Sequence, residues 1–220
     1  NYAEDLRIDY SILDQHAESY RKIRNTFRYL LGNINDNFDP IDLEKIQPHQ
    51  LPELEQFMLH KLYSLNSNFH KYFKNYDFHN LYKELLNFCT VDLSAFYFDI
   101  RKDCLYCDPL DSKKRNATIL LLNIILKSLL RWFAPILSFT TEEIYRMLYK
   151  NNKSIHLEKF FKFPKKFNND QLSKKWNELI KIRDICNVSI EEKRASKEIG
   201  SSLEAELKIE INKNLKDLTK

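Results

Sequence analysis

Apolar side chains recur at helical spacing along most of this chain. Between residues 19 and 33 they fall at i, i+3 and i+7, which is the stripe of an amphipathic helix. The members of this stripe are Tyr20, Ile23, Phe27, Leu30 and Leu31. Asp9 or Ser11 is placed to cap the helix, and Gly32 to stop it in the left-handed conformation. We predict a first helix that ends at Leu31.

The same period predicts two more helices. One begins near Leu51 and continues to Tyr72. The next begins at Phe78 and includes the aromatic segment 91–103. Residues 104–112, which contain an Asp-Pro pair, are predicted to form a turn.

Residues 111–134 are strongly apolar apart from one polar stripe, Asn123, Lys127 and Arg131, at i, i+4 and i+8. This segment is long enough to raise the question of a membrane span. The two cations in its interior and Pro135 at its end argue against that. We predict a deeply buried central helix and no membrane association.

A fifth helix is predicted from its capping signals. Thr140 and Glu143 have the spacing of a capping box, and Phe139 and Ile144 have that of a hydrophobic staple. A short helix is therefore expected to begin at Thr140.

The last part of the chain predicts one more helix and a strand. The helix spans about residues 171–197 and is stopped by Gly200, and residues 203–211 alternate apolar with polar side chains. Because one strand is not stable alone, we expect the natural chain to continue into a small further unit.

These elements predict an all-α fold, an up-and-down helical bundle at residues 9–199 with a linker at 1–8 and a short strand-containing appendage at 200–220. Composition agrees, because 220 residues with 43% hydrophobic side chains can bury one sizeable core. Two glycines are too few for a Gly-rich phosphate loop or a dinucleotide-binding motif. The net charge of +4 is mild, so any interaction with nucleic acid has to rest on where the charges lie.

The sequence shows no catalytic or metal-binding motif. Cys104 and Cys107 form a single C-x-x-C without a second pair or a histidine at ligand spacing, so a zinc site is not expected. The βαβ context of a redox motif is also lacking. None of the six histidines forms H-E-x-x-H, and no nucleophile elbow is present. We expect reduced thiols, no metal site and no catalytic residues.

The first helix carries a second, polar stripe beside its apolar one. Its members are Arg21, Arg24, Asn25 and Arg28, with Glu18 as the nearby carboxylate. Such arginines are often a solvated flank whose stems cover the core. Arginine also forks onto phosphates and base edges, and unstacked RNA bases can stack on aromatic side chains interleaved with further basic residues. Such interleaving is seen at Tyr97, Phe98, Arg101 and Lys102, and at Phe161, Lys162 and Phe163. The residues alone leave both interpretations open.

Several segments, in order, resemble one enzyme family. They are SYRKIRNTFRYLLGN (19–33), DLSAFYFDIRKD (92–103), RWFAPILSFTTEEIY (131–145), IHLEKF (155–160) and IGSSLEAELKI (199–209). The first is similar to the first helix of the anticodon-binding bundle of class I aminoacyl-tRNA synthetases, in the isoleucyl, valyl, leucyl and methionyl group. The next three look most like the bacterial isoleucyl enzymes, and the last resembles the junction to their C-terminal region. The resemblance covers essentially the whole chain.

The resemblance implies that a parent enzyme joins isoleucine to its tRNA with ATP and Mg, and that this part grips the anticodon stem and loop. The catalytic signatures HIGH and KMSKS and the editing domain are absent from the chain, so we expect it to be catalytically inert and to hold no cofactor itself. Residues 1–8 would be the linker from the catalytic domain, and a zinc knuckle would belong to missing regions. The expected parent is a cytoplasmic monomer.

For tRNA binding the resemblance favours the polar stripe of the first helix, then two residues of the third helix, and last two arginines that could instead pair with buried carboxylates. In that order the candidates are Arg21, Arg24, Asn25 and Arg28, then Arg101 and Lys102, then Arg131 and Arg183. Three alternatives stay open. They are the same domain of the related valyl enzyme, a helical scaffold marked by a large exposed apolar patch, and an unfamiliar enzyme marked by a deep pocket with pKa-shifted groups.

Overall fold

The computed structural model describes residues 8–34, 41–149, 153–201 and 204–210. These residues form helices and connecting segments, with no strand among them. The α-helices are α1 (Tyr10–Asn33), α2 (Glu53–Lys74), α3 (Phe78–Asn87), α4 (Asp99–Cys107), α5 (Lys113–Phe133), α6 (Ser138–Tyr149) and α7 (Asp170–Ala195). A π-helix, the π segment (Phe88–Phe98), joins α3 to α4, and short 3₁₀ helices lie at Leu43–Lys45, Pro48–Gln50, Ile155–Leu157 and Lys165–Phe167. The predicted all-α fold is confirmed.

The chain divides into two compact units, Asn1–Asn168 and Asn169–Lys220. The first unit contains α1 to α6, and the second contains α7. The sequence-based division placed the last helix with the bundle and began a new unit at residue 200. In the structure α7 is instead grouped with the residues that follow it.

The centre of the first unit is α5, which packs against α1, α2, α4 and α6. Its apolar side chains are almost all buried, including Trp132 and Phe133, and so is Lys127. In the part of the chain that the structure describes, α5 is also the helix whose length and composition would suit a membrane, but 78% of its most apolar window is buried within the protein. It is therefore a core helix, as predicted.

Residues 78–107 form one uninterrupted helical segment made of α3, the π segment and α4. The predicted turn at residues 104–112 is wrong at its start, because Cys104 and Leu105 are buried within α4. The middle of the segment has i→i+5 hydrogen bonding, which brings side chains five residues apart onto one face. Phe88, Leu93 and Phe98 are buried at that spacing.

Glycine does not end the helices, contrary to the sequence-based prediction. No glycine among the described residues has a positive φ, and Gly32 lies within α1. The C-cap of α1 is Ile34, and Asn33 before it donates from its side-chain amide to the carbonyl of Tyr29 at 2.8 Å. The left-handed positions after α2 and α7 are taken by Tyr76 (φ 56°) and Lys197 (φ 60°).

Both left-handed residues belong to the same capping motif. After α2, the amide of Asp77 donates to the carbonyl of Tyr72 at 2.9 Å. After α7, the amide of Glu198 donates to the carbonyl of Lys193 at 3.0 Å. These are the 6→1 bonds of Schellman motifs, which satisfy carbonyls that the helix leaves without a partner. Gly200, predicted to stop α7, lies beyond its end.

The fifth helix begins earlier than its predicted capping box. α6 starts at Ser138, so Thr140 lies inside its first turn and not at its cap. Phe139 is 94% exposed, which is incompatible with a hydrophobic staple. The hydroxyl of Thr140 instead meets a side chain of α1, as described below.

The predicted strand at 203–211 is not present where it can be checked, because residues 204–210 form no strand. Leu203 and Ile211 lie outside the described residues, and so do residues 1–7 of the predicted linker.

Candidate nucleic-acid interface

The two stripes predicted for α1 lie on different sides of the helix. Asp9 caps α1, accepting a hydrogen bond from the Ser11 amide at 3.2 Å. Ile23, Phe27 and Leu30 are buried, and α1 packs through this side onto the π segment and α5. The predicted candidates Arg21, Arg24, Asn25 and Arg28 are all exposed. The amphipathic pattern therefore orients the helix, and its donors face outward.

The exposed arginines have few protein partners. Arg21 lies 2.7 Å from Glu18, but both side chains are largely exposed, so this pair is weak and screened by salt. Arg24 donates to the Tyr20 hydroxyl at 3.3 Å, a bond that raises the pKa of the guanidinium. Arg28 makes no ion pair within the described residues. Three guanidinium groups are thus available to an anion.

Tyr20 fixes this part of α1 against α6. Its hydroxyl lies 2.8 Å from the Thr140 hydroxyl, and one of the two donates to the other. The bond with Thr140 is the main reason that the pKa of Tyr20 is lowered, with Arg24 adding to the effect. The Arg24 guanidinium lies 5.9 Å from the centre of the Tyr20 ring. Arg24 therefore rests against a tyrosine whose hydroxyl is fixed to α6 by a hydrogen bond.

A groove of about 600 Å³ opens between α1, the π segment and α4, and we call it the α1–π groove. One face of α1 contributes side chains at i, i+3, i+4 and i+7. The lining residues are Lys22, Asn25, Thr26 and Tyr29 from α1, Cys89, Thr90, Ser94 and Phe98 from the π segment, and Asp99 and Lys102 from α4. Two predicted candidates, Asn25 and Lys102, are thus brought to the same groove although they lie far apart in the sequence.

Lys102 stands at the edge of the α1–π groove with 54% of its side chain exposed. It donates to the Asp99 carboxylate at 3.0 Å, which raises the pKa of the ammonium group. A half-exposed ammonium can exchange such a partner for a phosphate without leaving a buried charge behind.

Arg101, the residue before Lys102, points into the core. It is 7% exposed and donates to both carboxylate oxygens of Glu55, at 2.7 Å each, and Glu55 is fully buried. Burial lowers the pKa of Arg101, but the bond to Glu55 and its charge more than offset this effect. The Tyr97 hydroxyl donates to the same carboxylate at 3.0 Å, and the Thr118 hydroxyl lies 3.3 Å from it. Arg101 therefore joins α4 to α2, and we do not include it in the interface.

Arg131 is also held inside the first unit. Its guanidinium donates to Glu158 at 2.7 Å and to the carbonyls of Lys127 and Lys159 at 2.8 and 2.9 Å. It also lies 4.4 Å from the centre of the Phe161 ring. These contacts give Arg131 the role of attaching the segment after α6 to α5, and we leave it out of the interface too.

The aromatic residues considered as stacking platforms are mostly core. Tyr97 and Phe98 are buried, and Phe163 is buried against Trp132 with 6.3 Å between ring centres. Arg183 lies on α7 in the second unit, and its role in tRNA binding stays a prediction.

Sequence reasoning missed the α1–π groove. Lys22, Ser94 and Asp99 were not candidates. Cys89, Ser94 and Asp99 line the groove at a spacing of five residues, which an α-helical period does not place on one face. The five-residue spacing of Phe88, Leu93 and Phe98 was the available signal. Within the described residues no group of three or more His, Cys, Asp or Glu could hold a metal ion.

Comparison with known proteins gives these surfaces a context. Residues 55–211 match the family described as the anticodon-binding domain of tRNA ligase. Over 220 residues, all of this chain and 24% of the relative, the chain is 70% identical to an isoleucine–tRNA ligase of Pelagibacter ubique. It is 41% identical over 206 residues to that of Agrobacterium fabrum, covering 93% of this chain and 21% of the relative. It is 39% identical over 221 residues to that of Petrotoga mobilis, covering 100% and 23%.

The chain spans 24% of the length of the Pelagibacter relative, 21% of the Agrobacterium relative and 23% of the Petrotoga relative. The family match begins on α2, and the alignments with the Pelagibacter and Petrotoga enzymes also include α1. Because the match extends over more than half of the residues, the chain belongs to the family of anticodon-binding domains of tRNA ligases.

Proposed function

We propose that this chain is the part of an isoleucine–tRNA ligase that binds the anticodon stem and loop of the isoleucine tRNA. The observation that carries the proposal is the match of residues 55–211 to anticodon-binding domains, together with 70% identity to an isoleucine–tRNA ligase along the whole chain. The parent enzyme would charge that tRNA with isoleucine at the expense of ATP, in a catalytic domain outside these residues. Its expected location is the cytoplasm.

The exposed side of α1 supports this function. Arg21, Arg24 and Arg28 stand at helical spacing on a helix whose opposite side is fixed in the core. Guanidinium groups bind phosphate oxygens with two parallel hydrogen bonds, and these contacts would supply much of the affinity. Asn25 and Lys102 line the α1–π groove beside them and would contact the unpaired loop.

Two other candidate arginines have structural roles, which reduces the number of residues in the proposed interface. Arg101 and Arg131 stabilise the bundle through Glu55 and Glu158, so a loss of tRNA binding in their variants would not identify a contact. The proposed interface therefore consists of the arginine side of α1 and the edge of the α1–π groove.

The test is fluorescence anisotropy of this chain with an isoleucine-tRNA anticodon stem-loop, beside the same stem with a scrambled loop, at two salt concentrations. We expect binding that weakens with salt and is weaker for the scrambled loop, because phosphates set the salt dependence and loop bases set the identity. An isolated domain lacks the contacts that a catalytic domain adds, so micromolar protein concentrations are required.

Equal binding of both loops would reduce the proposal to a generic basic surface. A preference for a valine-tRNA loop would move the assignment to the related valyl enzyme. Absence of binding to either stem-loop, and to the whole tRNA at low salt, would reject the proposed function.

A further inference from the structure

We propose that the α1–π groove is a pocket for a single unstacked nucleotide of the anticodon loop. The inference rests on the proposed function and specifies where one loop base would go. It depends on three features of the groove: its aromatic wall, its polar groups and its charges.

The aromatic wall is the partly exposed ring of Tyr29 of α1, which is backed by the buried ring of Phe98 of the π segment. Their rings are stacked with centres 4.1 Å apart and planes inclined by 19°, and both residues line the groove. A base that leaves the stack of the loop needs such a surface to replace its lost neighbours, and protein aromatics commonly provide it. A volume of about 600 Å³ is in the range of small-ligand sites.

The hydrogen-bonding capacity of Tyr29 and Asn25 is the second feature of the groove. The Tyr29 hydroxyl is buried and makes no hydrogen bond within the part of the chain that the structure describes. Burial raises the pKa of Tyr29 to about 12, so the hydroxyl keeps its proton and can donate at neutral pH. A buried hydroxyl without a partner is destabilising, and an acceptor on a bound nucleotide would remove that cost, provided that the Tyr29 side chain moves to open the hydroxyl to the groove. Asn25, on the same face of α1, is exposed and can donate and accept at a base edge.

The charges around the groove suit a nucleotide better than a free anion. Lys22 and Lys102 provide two ammonium groups, and Asp99, which pairs with Lys102, provides one carboxylate. The ammonium groups attract the phosphates on either side of an unstacked base. The carboxylate opposes a phosphate deep in the groove but accepts a hydrogen bond from an exocyclic amino group, as acidic side chains do with cytosine.

The π segment gives the groove its shape. Residues five apart, Cys89, Ser94 and Asp99, line it together, which an α-helix would not allow. π-helical turns are rare and are frequent at functional sites. The small Ser94 side chain, exposed on this line, leaves the entrance open.

The experiment combines a filled groove with loops that lack one base. Stem-loops carrying a single abasic nucleotide, one for each loop position, are titrated against the wild-type chain and Ser94→Phe. Ser64→Phe is the matched control, because Ser64 is an exposed serine on α2 that does not line the groove. Circular dichroism and thermal melting establish that each variant folds.

With the wild type, we expect one abasic position to weaken binding roughly tenfold, which is the usual effect of a lost base–aromatic stack. Ser94→Phe should weaken the intact loop by a similar factor and should no longer distinguish that abasic loop from the intact one. Ser64→Phe should behave as wild type. The same non-additivity is expected for Asn25→Ala, which decides the matter if Ser94→Phe does not fold.

The pocket would be overturned if folded Ser94→Phe bound the intact loop with the wild-type affinity. It would also be overturned if the abasic loop lost as much affinity with Ser94→Phe and Asn25→Ala as it does with the wild type. The proposed function would survive that result, because loop-dependent binding by the wild type is measured in the same titration. Failure of the wild type to bind any stem-loop would overturn both.

Discussion

Arg24 on α1 and Arg101 on α4 are the same residue type in similar surroundings in the sequence, each on a helix beside buried apolar positions. In the structure they differ completely. Arg24 is exposed and touches one tyrosine, whereas Arg101 is buried and forms a two-bond ion pair with a fully buried carboxylate. The exposure of each basic residue therefore has to be known before a set of basic residues is interpreted as a binding surface.

The difference has an energetic reason. A buried guanidinium is tolerated only with a carboxylate and further hydrogen bonds around it, which Glu55, Tyr97 and Thr118 provide together. An exposed guanidinium keeps its water and can exchange it for a phosphate at low cost. Substitution of a buried arginine should therefore lower stability, whereas substitution of an exposed arginine of α1 should lower RNA affinity and leave stability unchanged.

The largest effect is expected for Arg101→Leu. The variant leaves the Glu55 carboxylate buried without its cation, which should lower the free energy of unfolding by about 3–5 kcal/mol. Chemical denaturation monitored by circular dichroism measures the change. The double variant Glu55→Leu with Arg101→Leu should recover a large part of the loss, because it removes both charges.

A loss below about 1 kcal/mol in Arg101→Leu would contradict this account, since it would mean that water reaches Glu55. The exposed Arg28→Leu is the control for removing an arginine at all, and we expect it to stay within about 0.5 kcal/mol of the wild type.

A smaller loss, about 1–3 kcal/mol, is expected for Arg131→Ala. The substitution removes three hydrogen bonds and a ring contact, but Glu158 keeps the Tyr145 hydroxyl as a partner at 2.8 Å. Glu158 is also partly exposed, so its charge is not stranded as that of Glu55 would be. Thermal melting detects the change, and a melt identical to the wild type would show that Arg131 contributes nothing to the attachment of the segment after α6.

Sequence reasoning was reliable where one helix determined the outcome and failed where two distant segments did. The helical period of α1 was enough to place Ile23 in the core and Arg24 on the surface. The burial of Arg101 depends on Glu55, 46 residues earlier in the chain, and no local pattern reports that pairing. The π segment added a second error, because its five-residue spacing moves side chains to faces that an α-helical period does not predict.

Arg24→Ala and Arg28→Ala should affect RNA binding and leave stability unchanged. Each is expected to weaken stem-loop binding and to reduce the slope of log K against log salt by about one unit per lost phosphate contact. Anisotropy titrations over a range of salt concentrations give both values. The stability of the two variants should stay within about 0.5 kcal/mol of the wild type. If both bind with the wild-type affinity and salt slope while folded, the arginines of α1 are a solvated flank.

The smallest effect is expected at Glu142 on α6, which pairs with the exposed Arg146 at 2.7 Å. This pair is intermediate between the buried pair of Arg101 with Glu55 and the exposed arginines of α1. Its carboxylate also accepts hydrogen bonds from the Ser154 hydroxyl at 2.8 Å and the Ile155 amide at 3.0 Å. The bond from Ser154 is the main cause of its lowered pKa, with Arg146 and the Ile155 amide adding to it.

A carboxyl group whose pKa is lower in the folded than in the unfolded chain stabilises the fold above the unfolded pKa, near 4.3, and loses that contribution as the pH falls through the folded pKa. Glu142→Gln should therefore be less stable than the wild type at about pH 7, by less than about 1 kcal/mol, and the difference should disappear at acidic pH. Urea denaturation of both proteins at a series of pH values measures it. A difference that persists unchanged at acidic pH would assign the effect to the altered shape of the side chain. The pair with the exposed Arg146 would then contribute nothing through its charge.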